Sequence, residues 1–152
     1  MLVARYNNTG RIEVRLLFLV LFFFINSVWA IDNPDATDYV SGFKARILPL
    51  EKFIRNDATS MSDYSSGYGK LNSALDKELN QAYRKAMTAL SASHRKMLRT
   101  SQRQWIKYRD AELKFINSYY TRARFGSSFL LDRGNATVSI VKMRIIPLLR
   151  YL

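Results

Sequence analysis

The sequence predicts an all-α protein, a small bundle of about four helices built on a long antiparallel helical hairpin. Residues 70–90 contain neither Gly nor Pro and are rich in good helix formers. A Ser-containing break at residues 91–94 separates them from a second helical stretch that runs to about residue 124. Because the break is short, we expect the second helix to fold back on the first.

Apolar residues recur at steps of three or four in both stretches, which places them on one side of each helix. In the first stretch they are Leu75, Leu79, Ala82, Ala86 and Leu90. In the second they are Leu98, Trp105, Ile116 and Tyr120, and the same face carries Gln102, Arg109 and Glu112.

These polar residues have suitable partners on the first helix. With the turn centred near residues 92–93, the pairs are Asp76 with Arg109, Asn80 with Trp105, and Tyr83 with Gln102. A carboxylate suits an Arg fork, and an amide suits an indole N–H or a phenol. Since buried polar groups need partners, we expect these groups to bond one another. The alternative is a partner-facing site that uses Gln102, Arg109 or Asp110.

A first, shorter helix is predicted over residues 38–55, with Asp38 as its cap. Pro49 breaks or kinks it, so one helix and two short helices both remain open. Residues 56–69 are Ser-rich and lack an apolar period, which favours a surface loop. The alternative is a helix that begins near Asp63 or Ser65.

Another loop is predicted over residues 125–134, after the second long helix. Asn135 then caps a last helix over residues 136–146, which Pro147 ends or closes.

The first 30 residues are typical of a secretory signal. Three Arg precede an unbroken apolar run at residues 16–25, and small side chains surround a cleavage site near Ala30. The run is about half of the roughly 20 residues that a membrane-spanning helix needs. A cleaved signal is therefore favoured over an uncleaved N-terminal anchor, and no transmembrane span is expected after cleavage.

This predicts three segments: a signal peptide at residues 1–30, an N-terminal helical segment with a Ser-rich linker at residues 31–69, and a helical domain at residues 70–152. The mature chain would be periplasmic or secreted.

Positive charge is concentrated towards the C-terminus. Residues 31–152 have 21 basic and 11 acidic side chains, whereas residues 77–152 have 16 and 4. Such a field attracts anionic surfaces or acidic proteins. The chain has no cysteine, which excludes disulfides, thiol chemistry and a thiolate metal site.

No residue pattern indicates an enzyme, a metal site or a cofactor. His94 is the only histidine, lies at the predicted turn and has no Gly-x-Ser-x-Gly elbow to accompany it. Asp110 and Glu112 are two apart on a helix, so they point to different faces and suit paired acid–base work poorly. The scattered carboxylates and one His supply too few metal ligands. Four aromatic residues are expected in the core rather than in a cofactor pocket: Phe115, Tyr119, Tyr120 and Phe125.

The hairpin carries a pattern that resembles a known family. The run Asp76-x-x-Leu79-Asn80-x-x-Tyr83, followed by Leu98-x-x-x-Gln102-x-x-Trp105-Ile106-x-Tyr108-Arg109-Asp110-Ala111-Glu112, is similar to the LprI-type lysozyme inhibitor N-terminal domain. Gly126-Ser127-Ser128 and Arg144 resemble its Gly-Gly-Ser loop and its C-terminal Thr-x-x-Arg. The resemblance covers about residues 65–150. It implies a small exported helical bacterial protein with a lysozyme or another wall-cleaving enzyme as partner.

The chain also departs from the family pattern. Leu113 and Ala136 stand where the family usually has Cys, and Val141 stands where it has Thr. Lysozymes are typically basic, as this chain is, and like charges slow association and reduce affinity. That counts against inhibition of an ordinary basic lysozyme.

One candidate binding surface is a basic ladder, which consists of Arg95, Arg99, Arg103 and Lys107 at steps of four, with Lys96 beside them. The plain interpretation is a solvated outer face. The functional interpretation is contact with lipid head groups, an acidic wall polymer or an acidic protein. Nucleic acid fits the charge, but the export signal argues against it.

The other candidate is the Gly-Ser-Ser loop, residues 124–128, which includes Arg124, Ser127 and Ser128 and has Arg133 nearby. Its hydroxyls and guanidinium would suit the paired carboxylates of a glycosidase. The plain interpretation is a helix-ending Gly with capping serines.

The leading hypothesis is therefore an exported non-enzymatic protein that binds a partner and inhibits a lysozyme or another wall-cleaving enzyme. The alternative is an envelope protein whose basic helix face binds anionic lipid or polymer. In either case the predicted hairpin pairing gives the family motif a structural role, which is to hold the two long helices together. The motif residues are Asp76, Leu79, Asn80, Tyr83, Gln102, Trp105, Arg109 and Asp110.

Overall fold

The computed structural model describes residues 37–152, which are helical almost throughout and contain no strand. The predicted signal peptide lies outside the described residues. The helices are α1 (Tyr39–Lys52), α2 (Met61–Ala89), α3 (Ala92–Tyr119), α4 (Arg122–Phe125) and α5 (Phe129–Leu149). A π-helical turn (Phe53–Asp57) follows α1, and a 3₁₀ turn (Gly126–Ser128) precedes α5. The prediction of an all-α bundle of about four helices is confirmed.

Helix α5 is the element around which the others pack. It makes its most extensive contact with α2, and it also contacts α1, α3 and α4. The two long helices of the predicted hairpin are present and are joined by a short turn at residues 90–91, but each packs more on α5 than on the other. The core combines Phe43, Ile47, Leu71, Leu75, Leu79, Leu98, Val138, Ile145 and Leu148.

Ion pairs between helices add to the apolar contacts. Arg46 of α1 binds Glu78 of α2 through two parallel bonds of 2.6 and 2.8 Å. Lys142 of α5 binds Glu51 of α1 at 2.7 Å. These pairs connect α1 to the two helices that share the main apolar contact.

The start of α1 is as predicted. Asp38 accepts a hydrogen bond from the Ser41 N–H at 2.9 Å. Hydrogen bonding by the Ser41 side chain and by its N–H lowers the pKa of the Asp38 carboxyl. Pro49 lies inside α1 and does not end it. The chain continues into the π-helical turn, which closes where the Ala58 N–H donates to the Phe53 carbonyl at 2.9 Å. One helix therefore forms, not two.

The predicted Ser-rich loop over residues 56–69 is mostly helix, and the alternative of an early helix start is correct. Ser60 and Asp63 form a capping box: the Asp63 N–H donates to Ser60 Oγ at 3.1 Å, and the Ser60 N–H donates to Asp63 Oδ2 at 2.9 Å. The first turns of α2 carry apolar side chains at steps of three and four, namely Tyr64, Tyr68 and Leu71, and a buried Gly67 among them lies against Ile54. A Cβ at Gly67 would be 2.8 Å from an Ile54 carbon.

The predicted loop over residues 125–134 is also too long, because α5 begins at Phe129. Asn135 does not cap a helix. Its Oδ1 accepts a hydrogen bond of 2.7 Å from the Tyr68 hydroxyl of α2. Gly134 lies directly beneath the Tyr68 ring, where a Cβ would be 2.5 Å from ring carbons. Gly and Asn are typical of loops in a sequence. Here Gly134 leaves room for the Tyr68 ring, and Asn135 accepts a hydrogen bond from its hydroxyl.

The buried Tyr68 hydroxyl makes stability depend on alkaline pH. Burial raises the pKa of Tyr68 to about 12, and nearby Tyr64 and Asp132 add to the rise. An unfolded Tyr titrates near about 10. Between these values the unfolded chain loses the proton first, so the free energy of unfolding falls as pH rises. We expect urea midpoints of the wild type to fall across this window.

Tyr68→Phe should lower stability by about 1 kcal/mol at neutral pH through the lost hydrogen bond, and its midpoint should fall less above pH ~10. Tyr108→Phe, at a half-exposed position, is the control and should keep the wild-type pH dependence. An equal alkaline fall in Tyr68→Phe and the wild type would contradict the assignment.

Candidate functional site

The family motif residues of α2 and α3 do not pair as predicted. Arg109 binds Asp110 on its own helix at 2.8 and 2.9 Å, and its guanidinium lies 5.3 Å from the Trp105 ring centroid. The Asn80 amide donates to the Asp76 carbonyl one turn earlier at 2.8 Å. Asp76 and Asn80 are exposed. The predicted pairs of Asp76 with Arg109 and of Asn80 with Trp105 are therefore wrong.

Gln102 also has a different partner from the predicted Tyr83. Arg144 of α5 donates from Nε to Gln102 Oε1 at 2.8 Å and from Nη2 to Ser101 Oγ at 3.2 Å. Burial lowers the pKa of Arg144, while the field of Tyr151 and Tyr83 opposes that change. Two family residues do bond across helices, but the bond joins Gln102 of α3 to Arg144 of α5. We call this contact the α3–α5 lock.

The reason for the error is the position of α5. Both long helices pack against α5, so Gln102 of α3 meets Arg144 of α5 rather than Tyr83 of α2. The turn also falls at residues 90–91 and not at 92–93, which shifts the register of the two helices. Leu79 is the motif residue that is fully buried in the core, with only 5% of its surface exposed. Tyr83 and Trp105 are partly buried and pack against that core.

His94 has a local role in the turn, as predicted. Ser91 caps α3 by accepting a hydrogen bond from the His94 N–H at 3.3 Å, and Ser91 Oγ lies 3.1 Å from His94 Nδ1. Across residues 37–152 no three metal-ligating side chains cluster together.

The basic ladder lies on the outer face of α3. Arg99, Arg103, Lys107 and Lys96 are exposed, and Arg95 is half-buried. In the described part of the chain, the ion pairs join Arg46 to Glu78, Arg109 to Asp110, and Lys142 to Glu51, and they leave the ladder out. Its charge is therefore not neutralised by neighbouring carboxylates there.

The predicted Gly-Ser-Ser loop belongs to a compact junction between α3 and α5. We call residues 122–128 the α3–α5 junction. Gly126 has φ +59° and ψ −133°, a conformation that favours glycine strongly. The Ser128 hydroxyl lies 3.0 Å from the Phe125 carbonyl and 2.9 Å from an Asp132 carboxylate oxygen. The serine thus stabilises the junction, while Ser127 is exposed beside it.

Two candidate cations of this region lie over aromatic rings. Arg124 is exposed and its guanidinium is 4.3 Å from the Tyr119 ring centroid. Arg133 is half-buried and lies 5.0 Å from the Phe129 ring centroid. Arg124 and Ser127 are both exposed in the α3–α5 junction, whereas the basic ladder is a separate surface of α3.

The four aromatic residues expected in the core pack mainly on one another. Neighbouring ring centroids are 4.9–5.5 Å apart from Phe115 through Tyr119 and Tyr120 to Phe125. The main core takes only Leu98 and Trp105 from α3, so this cluster lies outside it. Phe115 is 58% exposed. The core assignment was wrong because the cluster forms where α3 ends and the chain turns towards α5.

Sequence reasoning also missed an exposed apolar edge on α3. Met97, Tyr108 and Phe115 are 66%, 51% and 58% exposed. Their spacings of eleven and seven residues place them on one side of a helix. The spacing could have been seen in the sequence, but only the structure shows that no other helix within residues 37–152 covers that side.

The fold and these surfaces define a small all-α protein with exposed cationic and aromatic surfaces. In the described residues no helix combines the length and apolarity needed to cross a membrane. The family profile described as "Lysozyme inhibitor LprI" matches residues 55–145, from the π-helical turn into α5. The chain belongs to the LprI lysozyme inhibitor family. Comparisons with curated proteins and with solved structures gave no match.

Proposed function

We propose that this protein is an exported inhibitor of a lysozyme or another wall-cleaving glycosidase, and that the α3–α5 junction enters the cleft of the enzyme. Membership of a lysozyme inhibitor family is the observation that carries the proposal. The secretory pattern of the first 30 residues supports export, because wall-cleaving enzymes act outside the cytoplasm.

The chemistry of the junction suits a glycosidase cleft. Most glycosidases use a pair of carboxylates that flank the scissile bond. Arg124 offers an exposed guanidinium that the Tyr119 ring holds in place, and Ser127 offers an exposed hydroxyl. Charge-assisted hydrogen bonds from a guanidinium to a carboxylate are stronger than neutral ones. The junction could therefore occupy the position of the sugar and neutralise the catalytic pair.

The aromatic cluster supports the same surface. Tyr, Trp and Arg are the residues that most often dominate binding energy at protein interfaces. Tyr119, Tyr120 and Phe125 are half-buried against one another, so their rings are already ordered before a partner arrives. An ordered side chain loses less conformational entropy on binding.

The overall charge selects among enzymes. The region from residue 77 onward carries a net charge of +12, which opposes approach to a basic lysozyme. We therefore expect the strongest inhibition with a glycosidase of acidic or near-neutral surface.

The test is hydrolysis of soluble peptidoglycan fragments by lysozymes of high and low isoelectric point, with and without the protein. We expect Arg124→Glu to raise the inhibition constant by at least about tenfold, or ~1.4 kcal/mol. Arg99→Glu is the matched control, with the same charge change on the outer face of α3, and should retain inhibition.

Two outcomes would count against the proposal. Absence of inhibition for every glycosidase tested would reject the function. Equal loss of inhibition in Arg124→Glu and Arg99→Glu would reject the junction as the contact surface, because only overall charge would then matter.

A further inference from the structure

We propose that the outer face of α3 also docks this protein on an anionic membrane surface. In this arrangement the basic ladder contacts lipid phosphates, and the exposed apolar edge enters the interface beside it. The proposal does not depend on glycosidase inhibition, because the basic ladder is separate from the α3–α5 junction and the apolar edge shares only Phe115 with the aromatic cluster beside that junction.

The first argument is charge. Residues 95–107 contain five cations and no acidic side chain. At a rise of about 1.5 Å per residue they extend along roughly 18 Å of helix. Asp110 follows further along α3, but Arg109 binds it at 2.8 Å. Each basic side chain near an anionic leaflet contributes roughly fivefold to the binding constant.

The second argument is the apolar edge. Met97, Tyr108 and Phe115 lie along one side of α3, over about 27 Å of helix. Each is more than half exposed, which is costly for side chains of this type in water. A straight line of exposed side chains fits a flat surface better than it fits a pocket.

The two strips can contact the same plane. At about 100° per residue, the basic ladder and the apolar edge flank a middle strip on the solvent side of α3. The middle strip consists of Thr100, Gln104 and Ala111, which are uncharged and exposed. No acidic side chain therefore stands between the cations and the aromatic edge.

This combination favours a membrane over an anionic polymer. Aromatic rings and the apolar side chains of a basic amphipathic helix settle at the boundary between head groups and acyl chains. A polyanion offers phosphate or carboxylate but no apolar phase, so Tyr108 and Phe115 would remain in water. A bilayer rich in phosphatidylglycerol offers both.

The experiment is co-sedimentation of the protein with phosphatidylglycerol/phosphatidylethanolamine vesicles and with phosphatidylcholine vesicles. Binding is expected only to the anionic vesicles and should weaken as salt rises. Arg99→Glu/Arg103→Glu should reduce it by at least about twentyfold. The control Lys70→Glu/Lys77→Glu makes the same charge change at two exposed positions on α2 and should change binding by less than about threefold.

The apolar edge needs its own variant. Tyr108→Ala/Phe115→Ala keeps the charge and should weaken vesicle binding several-fold without altering the salt dependence. In Tyr108→Trp, fluorescence should be quenched by brominated acyl chains more strongly than in the wild type. Circular dichroism melts establish that each variant is folded.

Three results would overturn the proposal. The first is vesicle binding that Tyr108→Ala/Phe115→Ala leaves unchanged, since the apolar edge would then have no part in it. The second is equal loss of binding in the α2 control. The third is binding to soluble dextran sulfate that matches vesicle binding and responds to the same variants, which would indicate an anionic polymer instead. Arg99→Glu/Arg103→Glu should still inhibit glycosidases in solution. Retained inhibition together with lost vesicle binding shows that the two activities use different residues.

Discussion

Gly134→Ala is expected to destabilise the protein by about 1–3 kcal/mol, although Gly→Ala within a helix ordinarily stabilises by about 1 kcal/mol. The added methyl group would lie 2.5 Å from carbons of the Tyr68 ring, far inside van der Waals contact. Tyr68 cannot move away cheaply, because its ring is buried and its hydroxyl is bonded to Asn135. The clash falls at the α2–α5 contact, the most extensive one between helices.

Urea denaturation measures this effect, and the chain offers a matched control. Gly69 lies within α2, next to Tyr68, and a Cβ there would meet nothing within 4 Å. Gly69→Ala should therefore stabilise by up to about 1 kcal/mol. In a Tyr68→Ala background the ring is absent, so Gly134→Ala should no longer destabilise. Stabilisation of the wild type by Gly134→Ala would show that Tyr68 does not confine this position.

Arg144→Ala is expected to lower stability by about 1.5–3 kcal/mol, because it removes a charged hydrogen-bond donor from Gln102 and Ser101. Arg144 is also half-buried, so part of the loss comes from its methylene groups. A double-mutant cycle with Gln102→Ala should give a coupling energy of about 1 kcal/mol or more, since the two side chains are in direct contact.

Asp76→Ala is the informative control for this cycle. Asp76 is exposed, and its predicted partner Arg109 is bound to Asp110 instead. Its removal should therefore cost less than about 0.5 kcal/mol. A large loss of stability in Asp76→Ala, together with a negligible Gln102–Arg144 coupling energy, would support the predicted pairing of α2 with α3. It would also contradict the α3–α5 lock.

The elements that could be predicted are those that depend on neighbours in sequence. The apolar period of Leu75, Leu79, Ala82 and Ala86 describes a single helix face, and all four residues are buried. The Asp38 cap needs only the N–H of Ser41, three residues away. The Ser60–Asp63 capping box is equally local, but Ser is frequent in loops as well as at helix starts, so the Ser-rich composition of residues 56–69 predicts a loop there.

The junction was predicted in part. Gly126 does end a helical segment with a positive φ, as a helix-ending Gly should, and Ser128 does bond nearby groups. The stacking of Arg124 on Tyr119 could not be read from the sequence. It depends on how the chain turns between α3 and α5, which brings a ring of α3 beneath the guanidinium.

The helical class, the capped start of α1, the two long helices, the uneven distribution of charge and the family resemblance follow from the order of residues alone. Three features depend on the packing of the whole chain: α5 contacts each of the other helices, Gln102 binds Arg144, and Gly134 and Asn135 accommodate Tyr68. Periodicity identifies which side of a helix turns inward, but it does not identify the helix that it meets. Which two helices pack together depends on how the apolar faces of all the helices are buried at once. Steric fit then decides where a helix must carry a Gly in place of a larger side chain.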